Sequence, residues 1–313
     1  MGFYLLSKGD KEESKIKRVA IIGANSYIAR NVLFVLQQNR DEYEVKLYDY
    51  SPVHADCAEN YESINILSKE SVAKIDLDCD VIFMFVGKTG SANGFDDYDL
   101  FIDINDRSLL NLLNEYRKQG SKAKIIFPST RLVYKGKPGP QKEEAEKEFK
   151  TIYAINKYAC EQYLEQYNRV FDVQYCIFRI CIPYGTMIPN ATSYGTPEFM
   201  MSKATKGENI SLYGDGAVRR TLTYMGDLCN ALIKGAFSYN CVNDIFNIGG
   251  EDYSLREMAE LIAKKYNVGI NFVQWPEVAL KIESGDTVFD DGKLRNACDV
   301  SYDMNFKQWC DNR

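Results

Sequence analysis

Tyr153 and Lys157 stand four positions apart in a run, residues 151–169, whose apolar and aromatic side chains recur at helical spacing. Positions four apart share one face of a helix, so the phenol and the ammonium stand side by side. A neighbouring positive charge favours phenolate and draws a tyrosine pKa down from about 10 towards neutrality, as a general base for a sugar or alcohol hydroxyl requires. In a chain with 22 tyrosines such a pair also arises by chance, so the company it keeps matters. Upstream, Ile125-Ile126-Phe127-Pro128-Ser129-Thr130-Arg131-Leu132-Val133-Tyr134 is an apolar strand running into a hydroxyl-bearing turn, followed by a Gly/Pro/Lys loop at 135–140. A hydroxyl at the carboxyl end of that strand can reach the same substrate oxygen as the tyrosine.

These residues need elements to hold them. Residues 17–22 form an apolar run of the kind buried in parallel sheets, and Gly23-Ala24-Asn25-Ser26-Tyr27-Ile28-Ala29 turns it into a helix expected at 30–38. Residues 44–48 form a second strand ending in Asp49, Ile64-Asn65-Ile66 a short third, and residues 80–87 an uninterrupted apolar fourth that runs into Lys88-Thr89-Gly90. A helix carrying Asn105 and the ladder Leu109, Leu110, Leu112 and Leu113 precedes the Thr130 strand. After the Tyr153 helix, residues 173–180 form another buried strand that ends near Pro183-Tyr184-Gly185. Further on come a helix at 199–204, a strand and hairpin turn over 210–216, and the stretch Arg219-Arg220-Thr221-Leu222-Thr223-Tyr224.

Composition excludes several classes. At 313 residues, 45% hydrophobic and 26% charged, the chain has the profile of a soluble globular protein. A net charge of −6 without a dense basic stripe argues against a nucleic-acid surface. No apolar run approaches the roughly 18 residues of a membrane span, and Phe3-Tyr4-Leu5-Leu6 is too short for a signal-peptide core, so residues 1–17 read as a loose extension. Nine scattered cysteines without a Cys-x-x-Cys suggest reduced thiols in a cytoplasm. His54 is the sole histidine, so neither a metal site nor a histidine-based catalytic site is expected.

Strand end, polar loop and Tyr-x-x-x-Lys helix in that order, after an amino-terminal nucleotide-binding unit, resemble the extended short-chain dehydrogenase/reductases, specifically the NAD-dependent nucleotide-sugar epimerase/dehydratase family. The resemblance runs over nearly the whole chain. It implies an α/β fold: a Rossmann-type doubly wound parallel sheet with a smaller carboxyl-terminal substrate-binding domain. The NAD-binding domain would comprise 15–180 and 215–250, the substrate-binding domain 181–214 and 251–313. Cofactor contacts are implied at Gly23, Asn25, Ser26, Tyr27 and Ile28, where the family's three glycines have become Gly23, Ser26 and Ala29. Asp49 would accept the adenosine ribose hydroxyls and repel a 2′-phosphate, favouring NAD over NADP. Asn65 and Ile66 would flank the adenine, while Val86, Gly87, Lys88 and Asn105 would lie along the ribose and diphosphate, although Lys88 can equally be a substrate contact or a solvated loop cation. On the substrate side the resemblance points to Thr130, Arg131, Tyr184, Arg220 and Lys293, with Arg220 gripping the diphosphate of a nucleotide sugar. Two departures stand out: Ile182 replaces a substrate-contacting asparagine, and Glu283-Ser284 precedes Gly285-Asp286 where a second phosphate-binding arginine is usual.

The implied chemistry is oxidation of a sugar hydroxyl, most often at C4, with Tyr153 taking the proton, NAD the hydride, Thr130 binding the same oxygen and Lys157 holding the ribose. The dehydratases and decarboxylases of the family place carboxylates directly after the threonine. Arg131 and Leu132 stand there instead, which disfavours both reactions. An epimerase is the first expectation and a nucleotide-4-keto-sugar reductase the second; an L-threonine dehydrogenase-like enzyme and a non-catalytic dinucleotide sensor follow. Relatives of this kind pair the Tyr-x-x-x-Lys helix and the preceding long helix into a homodimer, and Ile152, Ala159 and Tyr163 lie on the flank suited to that role.

Overall fold

A computed structural model describes residues 16–313, so the apolar start at 3–6 and nearly all of the charged extension lie outside the described residues. The chain opens with β1 (Lys17–Ile22), α1 (Tyr27–Gln37), β2 (Tyr43–Asp49), β3 (Tyr61–Ser63), α2 (Lys69–Val72) and β4 (Val81–Met84). Then come α3 (Tyr98–Phe101), a π-helical segment (Ile102–Arg107), α4 (Ser108–Gln119), β5 (Lys124–Thr130), the short β6 (Pro140–Gln141) and the 20-residue α5 (Ile152–Phe171). The carboxyl half holds β7 (Tyr175–Ile180), β8 (Ile182–Tyr184), α6 (Thr196–Ala204), β9 (Ile210–Tyr213), β10 (Arg219–Tyr224), α7 (Met225–Phe237) and β11 (Asp244–Asn247). It ends with β12 (Glu251–Ser254), α8 (Leu255–Tyr266), β13 (Ile270–Val273), α9 (Glu277–Ile282), β14 (Val288–Phe289), α10 (Gly292–Ala297) and α11 (Phe306–Asp311).

Seven strands in the order β11-β7-β5-β4-β1-β2-β3 pair in parallel throughout. Alternate residues of each strand face opposite sides, so Val19 and Ile21 join one core with α1 and α7, while Ala20 and Ile22 join another with α4 and α5. Cover on both faces is why β4 and β7 are apolar or buried at every position. This is the doubly wound α/β sheet expected. The order of strands reverses at β1, and in such sheets ligands bind in the crevice outside the carboxyl ends at that reversal.

A separate core joins β8, β9, β10, α6, α8 and α11 through Leu212, Leu222, Met258, Ile262, Phe306 and Trp309. Three local expectations change. The third strand is Tyr61–Ser63, ahead of Ile64-Asn65-Ile66, because the Asn65 Oδ1 accepts the Leu67 amide at 3.0 Å and turns the chain towards the Ser68 cap of α2. Strand β9 forms no hairpin with β10; it pairs in parallel with β13, while β10 lies between β12 and β8. Residues 219–224 therefore pair with strands outside the seven-stranded sheet, and the chain returns to that sheet with α7 and β11.

Candidate active site

Thr130 is the last residue of β5 and Tyr153 lies in the first turn of α5, which Thr151 caps by accepting the Ala154 amide at 3.0 Å. The Thr130 hydroxyl lies near enough to the Tyr153 phenol to act on its titration. One turn further along α5, the Lys157 ammonium donates to the Pro128 carbonyl at 2.8 Å and lies 4.4 Å from the centre of the Phe127 ring. The structure thus brings Thr130, Tyr153 and Lys157 to one strand end. Their electrostatics differ from expectation. Burial pushes the Tyr153 phenol up to about 12, against a smaller opposing effect of the nearby Thr130 hydroxyl, and burial brings Lys157 down to about 8. Desolvation is the largest effect on both groups, and the phenol is not held acidic by its neighbour.

Beneath them lies a buried network that sequence reasoning missed. Glu161, four residues after Lys157, accepts from Ser129 Oγ and from Arg179 Nε and Nη2 at 2.5, 3.0 and 2.6 Å. Arg179 Nη1 donates to the Tyr134 hydroxyl and the Glu143 carbonyl, both at 2.8 Å, and the Tyr134 hydroxyl donates to Asn247 at 2.6 Å. Burial alone would lower the Arg179 pKa, but the hydrogen bonds and charge of Glu161 raise it. This network ties the ends of β5, β7 and β11 to the helix that carries Tyr153. Its signal was legible: Arg179 is the one charge in an apolar strand, and a buried guanidinium demands a carboxylate.

On the other side of the reversal, Gly23 has φ +85°, and a Cβ there would lie 2.6 Å from the Val86 amide. Only glycine allows β1 and the end of β4 to approach this closely. The Ser26 hydroxyl, at the N-cap of α1, is buried with no hydrogen-bond partner. A helix N-terminus with an unsatisfied donor suits a phosphate oxygen, so the residues present fit a dinucleotide. Asp49 accepts the Asn25 amide at 2.9 Å at the end of β2. The Asn25 side chain is spent on the Val53 carbonyl and the Ala55 amide. Tyr27 leaves the turn, its hydroxyl donating to the Gly185 carbonyl, and Ile28 packs against the core shared by α1 and α7. Asn65 is exposed at its own turn and Ile66 is buried. Asn105, buried in the π-helical segment, clasps Lys88 by accepting from its amide at 3.0 Å and donating to its carbonyl at 3.2 Å. It shapes the loop after β4, where Val86 and Gly87 lie. Its neighbour Asp106 accepts from Asn156 and Tyr163.

Three of the substrate-side residues are engaged within the protein itself. Tyr184 is fully buried among Tyr224, Phe306 and Trp309 and donates to the Met304 carbonyl. Lys293 pairs with Asp244 at 2.5 Å, at the amino end of β11 and so at the opposite edge from Asn247. Arg220 is 2% exposed and ion-paired to Glu283 at 2.6 Å, with Nη1 donating to the Gly285 and Arg219 carbonyls. Arg131 follows Thr130 directly, and its Nη1 donates to Ser284 at 2.9 Å and Thr287 at 3.3 Å. Among the described residues no group of His, Cys, Asp and Glu is disposed to hold a metal ion.

The model of the NAD dependent epimerase/dehydratase family matches residues 19–249. This chain belongs to that family. Among curated members, a putative UDP-glucose 4-epimerase of Methanocaldococcus jannaschii is 30% identical over 170 residues, 53% of this chain and 54% of that one. A CDP-paratose 2-epimerase of Salmonella typhi is 25% identical over 256 residues, 73% and 75% of the two chains. The matched stretch thus spans about half the length of the first of these epimerase/dehydratase relatives. Among solved structures, a UDP-glucose 4-epimerase of Thermotoga maritima with UDP-glucose superposes at TM-score 0.81 over 94% of this chain and 96% of its own, at 21% identity. Pal from Bacillus thuringiensis does so at 0.83 over the same shares, at 20% identity. The family is NAD dependent, and its fold accounts for the whole seven-stranded sheet.

Proposed function

We propose that this protein is an NAD-dependent nucleotide-sugar epimerase acting through transient oxidation of a sugar hydroxyl, at C4. The observation that carries the reading is that Thr130, Tyr153 and Lys157 meet at the carboxyl end of β5, with the Lys157 ammonium donating to the Pro128 carbonyl of the same strand. The Thr130 hydroxyl donates to the reacting oxygen, and Tyr153 in its phenolate form takes that oxygen's proton. Bound NAD supplies the hydride acceptor and donor, with Gly23 and Ser26 at its diphosphate, Asp49 at the adenosine ribose and Lys157 at the other ribose. In both directions the proton moves on and off the same phenolic oxygen, so no second acid or base is needed. Arg131 and Leu132 offer no carboxylate for elimination or decarboxylation. Asp49 favours a cofactor without a 2′-phosphate, which favours a retained NAD over the NADPH of a ketoreductase.

The substrate in this reading is a nucleoside-diphosphate sugar, the class named for the curated relatives. The pairing of β10 with β8 and β12 favours a nucleotide-binding unit of 15–180 and 225–250 and a substrate unit of 181–224 and 251–313. The working form is a homodimer, supported by exposed Phe95, Tyr98, Ile102 and Ile155 around α3 and α5. Incubation with UDP-, dTDP-, CDP- and GDP-sugars, followed by NMR, tests the reading. An isomer inverted at C4 without net NADH formation is expected. Stoichiometric consumption of NADH or NADPH on a 4-keto sugar would overturn it in favour of a reductase.

A further inference from the structure

We propose that Arg131, rather than Arg220, is the cation against which the substrate's anionic group docks. Both guanidinium groups reach the same short stretch, Glu283 to Thr287, but they end in different company. Arg220 is buried and has its counter-charge: Glu283 lies 2.6 Å from Nη2, and the Gly285 carbonyl lies 2.6 Å from Nη1. The Glu283 oxygen that faces Arg220 also accepts the Gly285 amide at 3.0 Å. Arg131 finds only neutral acceptors, the Ser284 and Thr287 hydroxyls, both on Nη1.

Among the described residues Arg131 forms no ion pair, and its Nε and Nη2 take no hydrogen bond. Burial, and then the nearby Arg220 charge, bring its pKa down to about 10. Glu283, the carboxylate whose charge reaches both guanidiniums, is ion-paired with Arg220, which leaves Arg131 without a bonded counter-charge in a half-buried setting, costly until an anion arrives. Position says which molecule brings it. Arg131 opens the 3-10 turn directly after Thr130, which stands beside Tyr153, so the anion belongs to the molecule whose hydroxyl those two hold. The planar fork that remains free matches two oxygens of a phosphate or a carboxylate. The source is either the diphosphate of the nucleotide or a carboxylate on the sugar.

The inference rests on the nucleotide-sugar reading, and one titration separates the two. Calorimetry on the wild-type protein identifies the tightest binder among UDP, dTDP, CDP and GDP, which is then compared with its hexose and hexuronate conjugates. Arg131→Met weakens binding by about tenfold to a hundredfold where the anion is read. A loss on all three ligands assigns the diphosphate, and a loss on the hexuronate alone assigns a sugar carboxylate; either supports the proposal. Arg131→Gln keeps a donor to Ser284, carries the same expectation and serves if the Met variant does not fold. Unchanged affinity for all three ligands in a variant that still binds NADH overturns the role of Arg131 alone. A wild-type protein that binds NADH but none of the four nucleotides overturns the nucleotide-sugar reading and this inference with it.

Discussion

Lys157 illustrates how one buried charge links stability to chemistry. Its pKa is about 8 in the fold against 10.5 when solvated, because burial disfavours the ammonium. Below pH 8 both states carry the proton and the cost of the buried charge is constant. Between 8 and 10.5 only the unfolded chain holds it, so this group adds stability as pH rises. Lys157→Met removes that dependence. Its stability relative to wild type should therefore fall by about 3 kcal/mol from neutral pH to about pH 10.5, read from paired urea melts in which all shared groups cancel. A flat difference would mean that the amine is solvated. Ser26 allows the complementary test. Its buried hydroxyl bonds to nothing in the ligand-free chain, so Ser26→Ala should leave the melting temperature unchanged or slightly raised. NAD affinity should nonetheless drop about tenfold if the hydroxyl serves a phosphate oxygen. Equal NAD affinity in the two proteins would remove Ser26 from the cofactor site.

The elements that place these residues depend on the pair Glu161 and Arg179, whose side chains are 0% and 2% exposed. Removing one partner leaves the other charge buried and alone. Glu161→Gln should cost about 3–5 kcal/mol, while replacing both residues with apolar side chains of similar volume should recover most of it. A single variant as stable as wild type by denaturant melt would contradict the network. Sequence made the contributing elements legible because their signals are local: apolar runs for β1, β4 and β7, and helical periodicity for α5. Destinations set by distant partners were not legible. Tyr184 is claimed by the Met304 carbonyl 120 residues away, and Arg220 by Glu283 63 residues away. Lys293 is claimed by Asp244 across 49 residues. The fall of the Tyr153 pKa was expected from spacing alone, and spacing says nothing about desolvation.

At the scale of the whole molecule, the flank of α3 and α5 leaves Tyr98 53%, Phe95 51% and Ile155 48% exposed, while Ile152 packs near Gly94 and Tyr163 bonds to Asp106. A self-association surface is then centred on the exposed set rather than on Ile152, Ala159 and Tyr163. Light scattering of the eluted protein should give twice the chain mass, and Ile155→Asp should halve it; a wild-type monomer would retire the dimer. The proposed catalysis turns on the phenol of Tyr153, beside Thr130 and one helical turn from Lys157. Its most direct test is turnover of Tyr153→Phe on the nucleotide sugar that the wild-type protein epimerises, with ligand affinity measured alongside. The account predicts a loss of about 10²–10⁴-fold in turnover with affinity changed less than about threefold. Turnover within about threefold of wild type would contradict it.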